Sequence, residues 1–158
     1  MRLSRLAGSA QILATGLIAG IFLGIRWTAA GRFSLDAASF VKQQQIIHMV
    51  FSRMMPPLVI AAILAGVICL IAMRKQVRSA GFALAAIATV CTIAALILTI
   101  TVSFPLNDLL MTWDAASPPA NAKDLWLPWE SAHTIRTAIF GIAFIAAIAA
   151  NSLFRDET

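Results

Sequence analysis

The chain has 158 residues, of which 60% are hydrophobic and only 12% charged, with a net charge of +5. A soluble domain carries roughly twice that share of charge, and one core of this size could not hide so much apolar surface. Both a water-soluble fold and a second domain are therefore excluded.

The placement of the charges names the alternative. Leu6–Ile25 and Met54–Met73 are uncharged runs of 20 residues, Ser79–Asn107 is one of 29 and Thr137–Phe154 one of 18. At about 1.5 Å rise per residue, each spans or nearly spans a hydrocarbon core about 30 Å thick. Membrane β-barrel strands would be shorter and would alternate. The expected fold is all-α, a four-helix transmembrane bundle in one integral membrane domain, 1–158, with spans near 6–25, 54–73, 80–104 and 134–154. Its first partner is the lipid bilayer.

The first run invites comparison with a signal peptide, since Arg2 and Arg5 precede it and Thr28-Ala29-Ala30 follows. It is longer than the apolar stretch of about 7–15 residues that such peptides carry, so a retained helix is expected. Gly16, Gly20 and Gly24 recur at four-residue spacing and share one helix face. Such a face lets another backbone approach closely. It would pack within the bundle, for example on Ala143 and Ala147, or join two copies in a homo-oligomer.

Along the first long connection, Ser34 can N-cap an extra amphipathic helix running through Asp36, Phe40 and Gln43–Gln45 towards His48. Pro56-Pro57 should then kink or break the second span. Arg74–Arg78 has room only for a turn, Pro105 should end the third span, and Asp114–Asn121 reads as an irregular loop. Pro128 suits the first turn of a helix that continues as the fourth span. Cys69 and Cys91 differ in depth by roughly 12 Å, beyond disulfide reach, and read as packing residues.

Orientation rests on the basic residues. Arg2, Arg5, Arg74, Lys75, Arg78 and Arg155 fall on one side, and Arg26, Arg32, Lys42, Arg53, Lys123 and Arg136 on the other. Arg26, Arg53 and Arg136 lie at helix ends, where they can snorkel or serve a site. Without them the first set is the larger, which puts both termini on the cytoplasmic side of a plasma or inner membrane. The positive charge is thus a topology signal, and no basic stripe with interleaved aromatics points to nucleic acid.

All four tryptophans and both histidines fall in or beside the two outer connections. Trp129, His133 and Arg136, at i, i+4 and i+7, share a helix face, and ionisable residues near membrane depth face the bundle interior or water. Asn107 ends the third span at a similar level, and His48 and Arg53 lead into the second. These groups can line one pocket, with histidine as proton acceptor and arginine and asparagine as donors to a developing oxyanion. Trp129 and Trp113 would be its aromatic walls. The plainer alternative is a set of interfacial anchors, or partners of Glu130 and Asp108. His48 and His133 lack metal-ligand spacing, no haem motif occurs, and no span holds the acidic residue a transporter usually carries. No metal or other cofactor is expected.

Ser103-Phe104-Pro105-Leu106-Asn107-Asp108, then Trp129, then Ala132-His133-Thr134-Ile135-Arg136-Thr137 resembles the signature of the anthrone oxygenase-like family of small four-span membrane proteins. Asn107, Trp129, His133 and Arg136 match it, whereas Ala132 departs from a pattern in which Asn precedes the histidine. The resemblance implies a cofactor-independent oxygenase. His133 would remove a proton from an anthrone- or quinone-like aromatic, Arg136 and Asn107 would stabilise the enolate oxygen, and the tryptophans would sandwich the rings. A non-catalytic membrane protein that binds a lipid, quinone or partner protein through the same pocket is the alternative.

Overall fold

The computed structural model describes residues 2–154, so Arg155 of the orientation argument lies outside the described residues, as does the side chain of Arg2. Helix α1 covers Arg2–Trp27, the short α2 Ala29–Ser34, α3 Ala37–Ala72 and α4 Ala80–Leu98. A π-helical turn, Thr99–Ser103, joins α4 to α5, Phe104–Met111, and α6 runs over Ala122–Leu153. Four segments are long and apolar enough to cross a membrane: Leu3–Ser34, Ala37–Ala72, Ala80–Met111 and Ala122–Leu153. The expected four-helix bundle is what the chain forms.

In the bundle α1 packs on α3 and α6, and α4 packs on the same two helices from the other side. The surface reverses the soluble pattern: Leu13, Leu64, Val90, Ile97, Ile142 and Ile145 are all more than half exposed. Lipid tails are their natural solvent. The interior is built from small residues, with Ala62, Ala88, Ala95 and Ala143 fully buried, and that lets the backbones come close. Buried Thr15, Thr89 and Thr92 return their hydroxyl protons to the carbonyls of Gln11, Ala85 and Ala88, which satisfies them without water. Gln11 Nε2 donates across the bundle to Thr89 Oγ1 at 3.1 Å, directly over buried Gly66.

Several local expectations are corrected. Asp36, not Ser34, caps the helix of the first connection: its backbone is extended and its carboxylate accepts from the Ser39 amide at 2.9 Å. That bond holds the Asp36 carboxyl below its ordinary range. Ser34 ends α2 and bonds back to the Gly31 carbonyl. The extra amphipathic helix is not separate but forms the opening turns of α3, which continues unbroken through Pro56 and Pro57. The prolines leave the carbonyls of Ser52 and Arg53 without their intrahelical donors, on an exposed stretch where other groups can serve them.

Pro105 does not end its helix either. The preceding turn widens, so that the Phe104 amide bonds the Thr99 carbonyl five residues back, and α5 proceeds with Pro105 in its first turn. Likewise α6 begins at Ala122, one turn and more before Pro128, which lies inside it. The glycine face is used only at Gly16, where an added Cβ would come within 2.7 Å of the Phe144 ring. Gly20 and Gly24 have no atom within 4 Å of that position, so they do not pack within the bundle.

The end of the bundle away from the Arg74–Arg78 turn is closed by a cap. Phe40, Val41, Leu110, Ala122 and Trp126 form its buried core. Lys123 donates to the carbonyls of Phe33 and Leu35, and Gln45 to those of Leu110 and Trp113. These bonds tie the start of α6 to the end of α2 and the start of α3 to the end of α5, and a cavity lies beneath them.

Candidate functional site

Helix α6 supplies one wall of the cavity as a ladder of rings. Trp126, Trp129 and His133 follow at spacings of three and four, so they lie one above another on a single face. The two indoles stack at 4.9 Å and 17°, and Trp129 stacks on the imidazole at 4.9 Å and 11°. Phe22 of α1 closes on His133 from another side, with centroids 5.0 Å apart. His133 is only 1% exposed.

That packing fixes which nitrogen is available. His133 Nε2 lies 3.0 Å from the Phe22 carbonyl, which can only accept, so Nε2 carries the proton and Nδ1 presents a lone pair. The Arg136 Nη2 lies 3.5 Å from Nδ1, beyond the length of a strong hydrogen bond. The lone pair thus accepts a long, weak hydrogen bond from Arg136, which must part before Nδ1 can take a proton.

Arg136 is 4% exposed and sits between the faces of Phe22 and Trp129, at 5.2 and 5.4 Å from their centroids. Its Nη1 donates to Thr99 Oγ1 at 3.1 Å, and that hydroxyl in turn donates to the Ala95 carbonyl. Thr99 opens the π turn forced ahead of Pro105, so the proline and the arginine contact have one structural origin. Among the described residues no carboxylate forms an ion pair with Arg136, and its Nε has no partner. A buried guanidinium with only neutral contacts favours an anion or an oxygen that becomes one.

The cavity holds about 320 Å³, the size of a site for a small flat molecule. Asn107, His48, Trp129, His133 and Arg136 all line it. On α3 the lining follows Gln44, His48, Phe51, Met55 and Val59, a helical stripe at spacings of four and three. Arg53 is off that stripe and points to the exposed side. Trp113 is half-buried in the cap, where its carbonyl accepts from Gln45, and it does not line the cavity. Lining residues that also reach the surface are Ser52 and Pro56 of α3 and Phe104 and Asp108 of α5. The mouth therefore opens between those two helices.

Three groups escaped the sequence reading. Arg32, counted from the sequence only among the outer basic residues, is 2% exposed. Its guanidinium donates to Gln44 Oε1 at 2.8 Å and to the Ile25 carbonyl at 3.0 Å, and pairs with Glu130 Oε1 at 3.0 Å. Glu130 thus pairs with Arg32 rather than with His133 or Arg136. No local pattern could have found a pair of residues so distant in the chain. Gln44 and Phe22 were visible only as a polar cluster and as one aromatic in an apolar run.

Among comparisons with known proteins, the family model described as anthrone oxygenase matches residues 44–146. The match includes Gln44, Asn107, Trp129, His133 and Arg136, and it takes in 103 of the 158 residues. No curated protein and no solved structure matches the chain. The four-helix membrane architecture and the extent of that match place the chain in one group: it belongs to the anthrone oxygenase family.

Proposed function

We propose that the protein is a membrane-embedded, cofactor-independent oxygenase acting on a lipophilic aromatic of the anthrone or quinone type. The observation that carries this reading is the paired arrangement of His133 and Arg136. An imidazole whose Nδ1 accepts only a long 3.5 Å contact from Arg136 stands beside that guanidinium, which no carboxylate pairs directly, in a cavity walled by aromatic rings.

The chemistry follows from the acidity of a methylene conjugated to a carbonyl. His133 Nδ1 takes one proton from that carbon, and the electron pair moves on to the carbonyl oxygen as an enolate. Arg136 and Asn107 donate hydrogen bonds to that oxygen, and the charge it develops complements the guanidinium. The electron-rich carbon then bonds to molecular oxygen, which is reduced as the carbon is oxidised, and the imidazolium proton completes a hydroperoxide. Loss of water from the hydroperoxide, with the second proton of that carbon, leaves the quinone. Trp129, whose two faces are taken by Trp126 and His133, presents its edge to the substrate as a wall, and His48 also lines the cavity. Arg53 and Trp113 have no part in this reading, because neither lines the cavity.

The experiment is oxygen uptake by purified protein supplied with anthrone, measured against the protein-free rate. His133→Ala is expected to lower the enzymatic rate by about 10²–10⁴, the usual contribution of a positioned base. Arg136→Lys should also lower it, because an ammonium cannot reproduce the planar fork of donors. A wild-type rate equal to the protein-free rate would refute the oxygenase. Anthrone binding without uptake would instead identify a non-catalytic binder.

A further inference from the structure

The wall facing His133 and Arg136 carries a donor that the proposed chemistry does not use. Gln44 of α3 lines the cavity and is 2% exposed. Which end of its amide is which follows from its partner. Arginine has only donors, so the atom 2.8 Å from Arg32 Nη1 must be the oxygen, Oε1. The other end is therefore the NH₂ group, and this Nε2 is buried with no partner. Arg32 cannot turn away to release it, because Glu130 and the Ile25 carbonyl hold the same guanidinium.

A buried donor left unpaired is unfavourable and is relieved when a ligand brings an acceptor. The other unpaired buried side-chain atoms of cavity-lining residues are donors too: Trp126 Nε1, Trp129 Nε1 and Arg136 Nε. The unpaired buried side-chain atoms of the lining are thus all donors, which suits a ligand that brings oxygens.

We infer that Gln44, locked by Arg32, is a specificity-determining residue: an amide donor that selects flat aromatics bearing a second acceptor oxygen, away from the one that Arg136 engages. Arg32 is its positioning residue. The inference rests on the proposed function for the identity of the first oxygen, but its readout is binding rather than turnover.

The test compares 9,10-anthraquinone, which has carbonyl oxygens on opposite edges, with anthracene, which has the same frame and none. Neither has the methylene that the reaction requires. Affinities are read from quenching of tryptophan fluorescence in lipid nanodiscs. Gln44→Glu keeps the acceptor for Arg32 and replaces the NH₂ by an oxygen, so the wall stays filled and the donor is lost. It is expected to weaken anthraquinone about tenfold and leave anthracene unchanged. Arg32→Lys should reduce the same preference by releasing the amide. If Gln44→Glu does not fold, Gln44→Met reads the same difference. Unchanged anthraquinone affinity, or an equal loss for both ligands, would overturn the inference. Absence of oxygen uptake with anthrone would refute the oxygenase and leave this comparison intact.

Discussion

Gly66→Ala is a one-carbon change whose effect can be worked out from the interior of the bundle. The new Cβ would lie 2.3 Å from Thr89 Oγ1 and 2.6 Å from Gln11 Nε2, the two atoms of the hydrogen bond that crosses the bundle. Thr89 is β-branched and its hydroxyl is committed to the Ala85 carbonyl, so it has little room to rotate away. Overpacking of this kind costs about 1–3 kcal/mol, and an amide left unbonded in the interior adds about 1–3. Against these, alanine gains about 1 kcal/mol over glycine in a helix. The net expectation is a loss of about 3 kcal/mol, a fall in melting temperature of about 6–12 °C by the scaling for chains of this size. Gly20→Ala is the control: with nothing within 4 Å of the new atom, only the helix gain remains, and stability should hold or rise. Thermal unfolding of both variants in the same detergent reads the difference. Equal shifts would refute the reasoning, since helix propensity would then be acting alone. Adding Thr89→Ala to Gly66→Ala should recover part of the loss, because the two changes share one contact.

Removing Arg32 tests the buried ion pair: Arg32→Met should destabilise the fold by about 3–5 kcal/mol, and Glu130→Gln in that background should recover part of it, as a shift in unfolding midpoint would show. For topology, a single cysteine in place of exposed Lys42 should react with an impermeant reagent from outside the cell, whereas one in place of exposed Val77 should not. The reverse pattern would place both termini outside.

The architecture could be read because the bilayer imposes length and polarity on each span, and both are local properties. The shared face of Trp129, His133 and Arg136 could be read for the same reason, since helical spacing places them without knowledge of any other segment. The prolines misled because rules from soluble helices take a lost amide bond as a break. Here α3 continues without a break through Pro56-Pro57, and the turn before Pro105 widens instead of ending. Arg53 was assigned by depth alone, whereas the stripe from Gln44 to Val59 excludes it by angle. Arg32 and Glu130 were out of reach because only the folded chain brings α2 beside α6.

The mouth between α3 and α5 has a kinetic consequence. Under the proposed function, a lipophilic substrate entering between these two helices would be drawn from the lipid, so what the site would sense is moles of ligand per mole of lipid. Diluting the assay with empty vesicles should raise the apparent KM in proportion to added lipid, while diluting with buffer should hardly alter it. An aqueous concentration would then describe neither supply nor saturation, and comparing variants would require a fixed ratio of lipid to protein. Phe104 and Pro56, exposed at that opening, would meet such a substrate before the cavity does. Their bulk would set how fast molecules exchange with the surrounding leaflet, independently of how tightly the interior holds them.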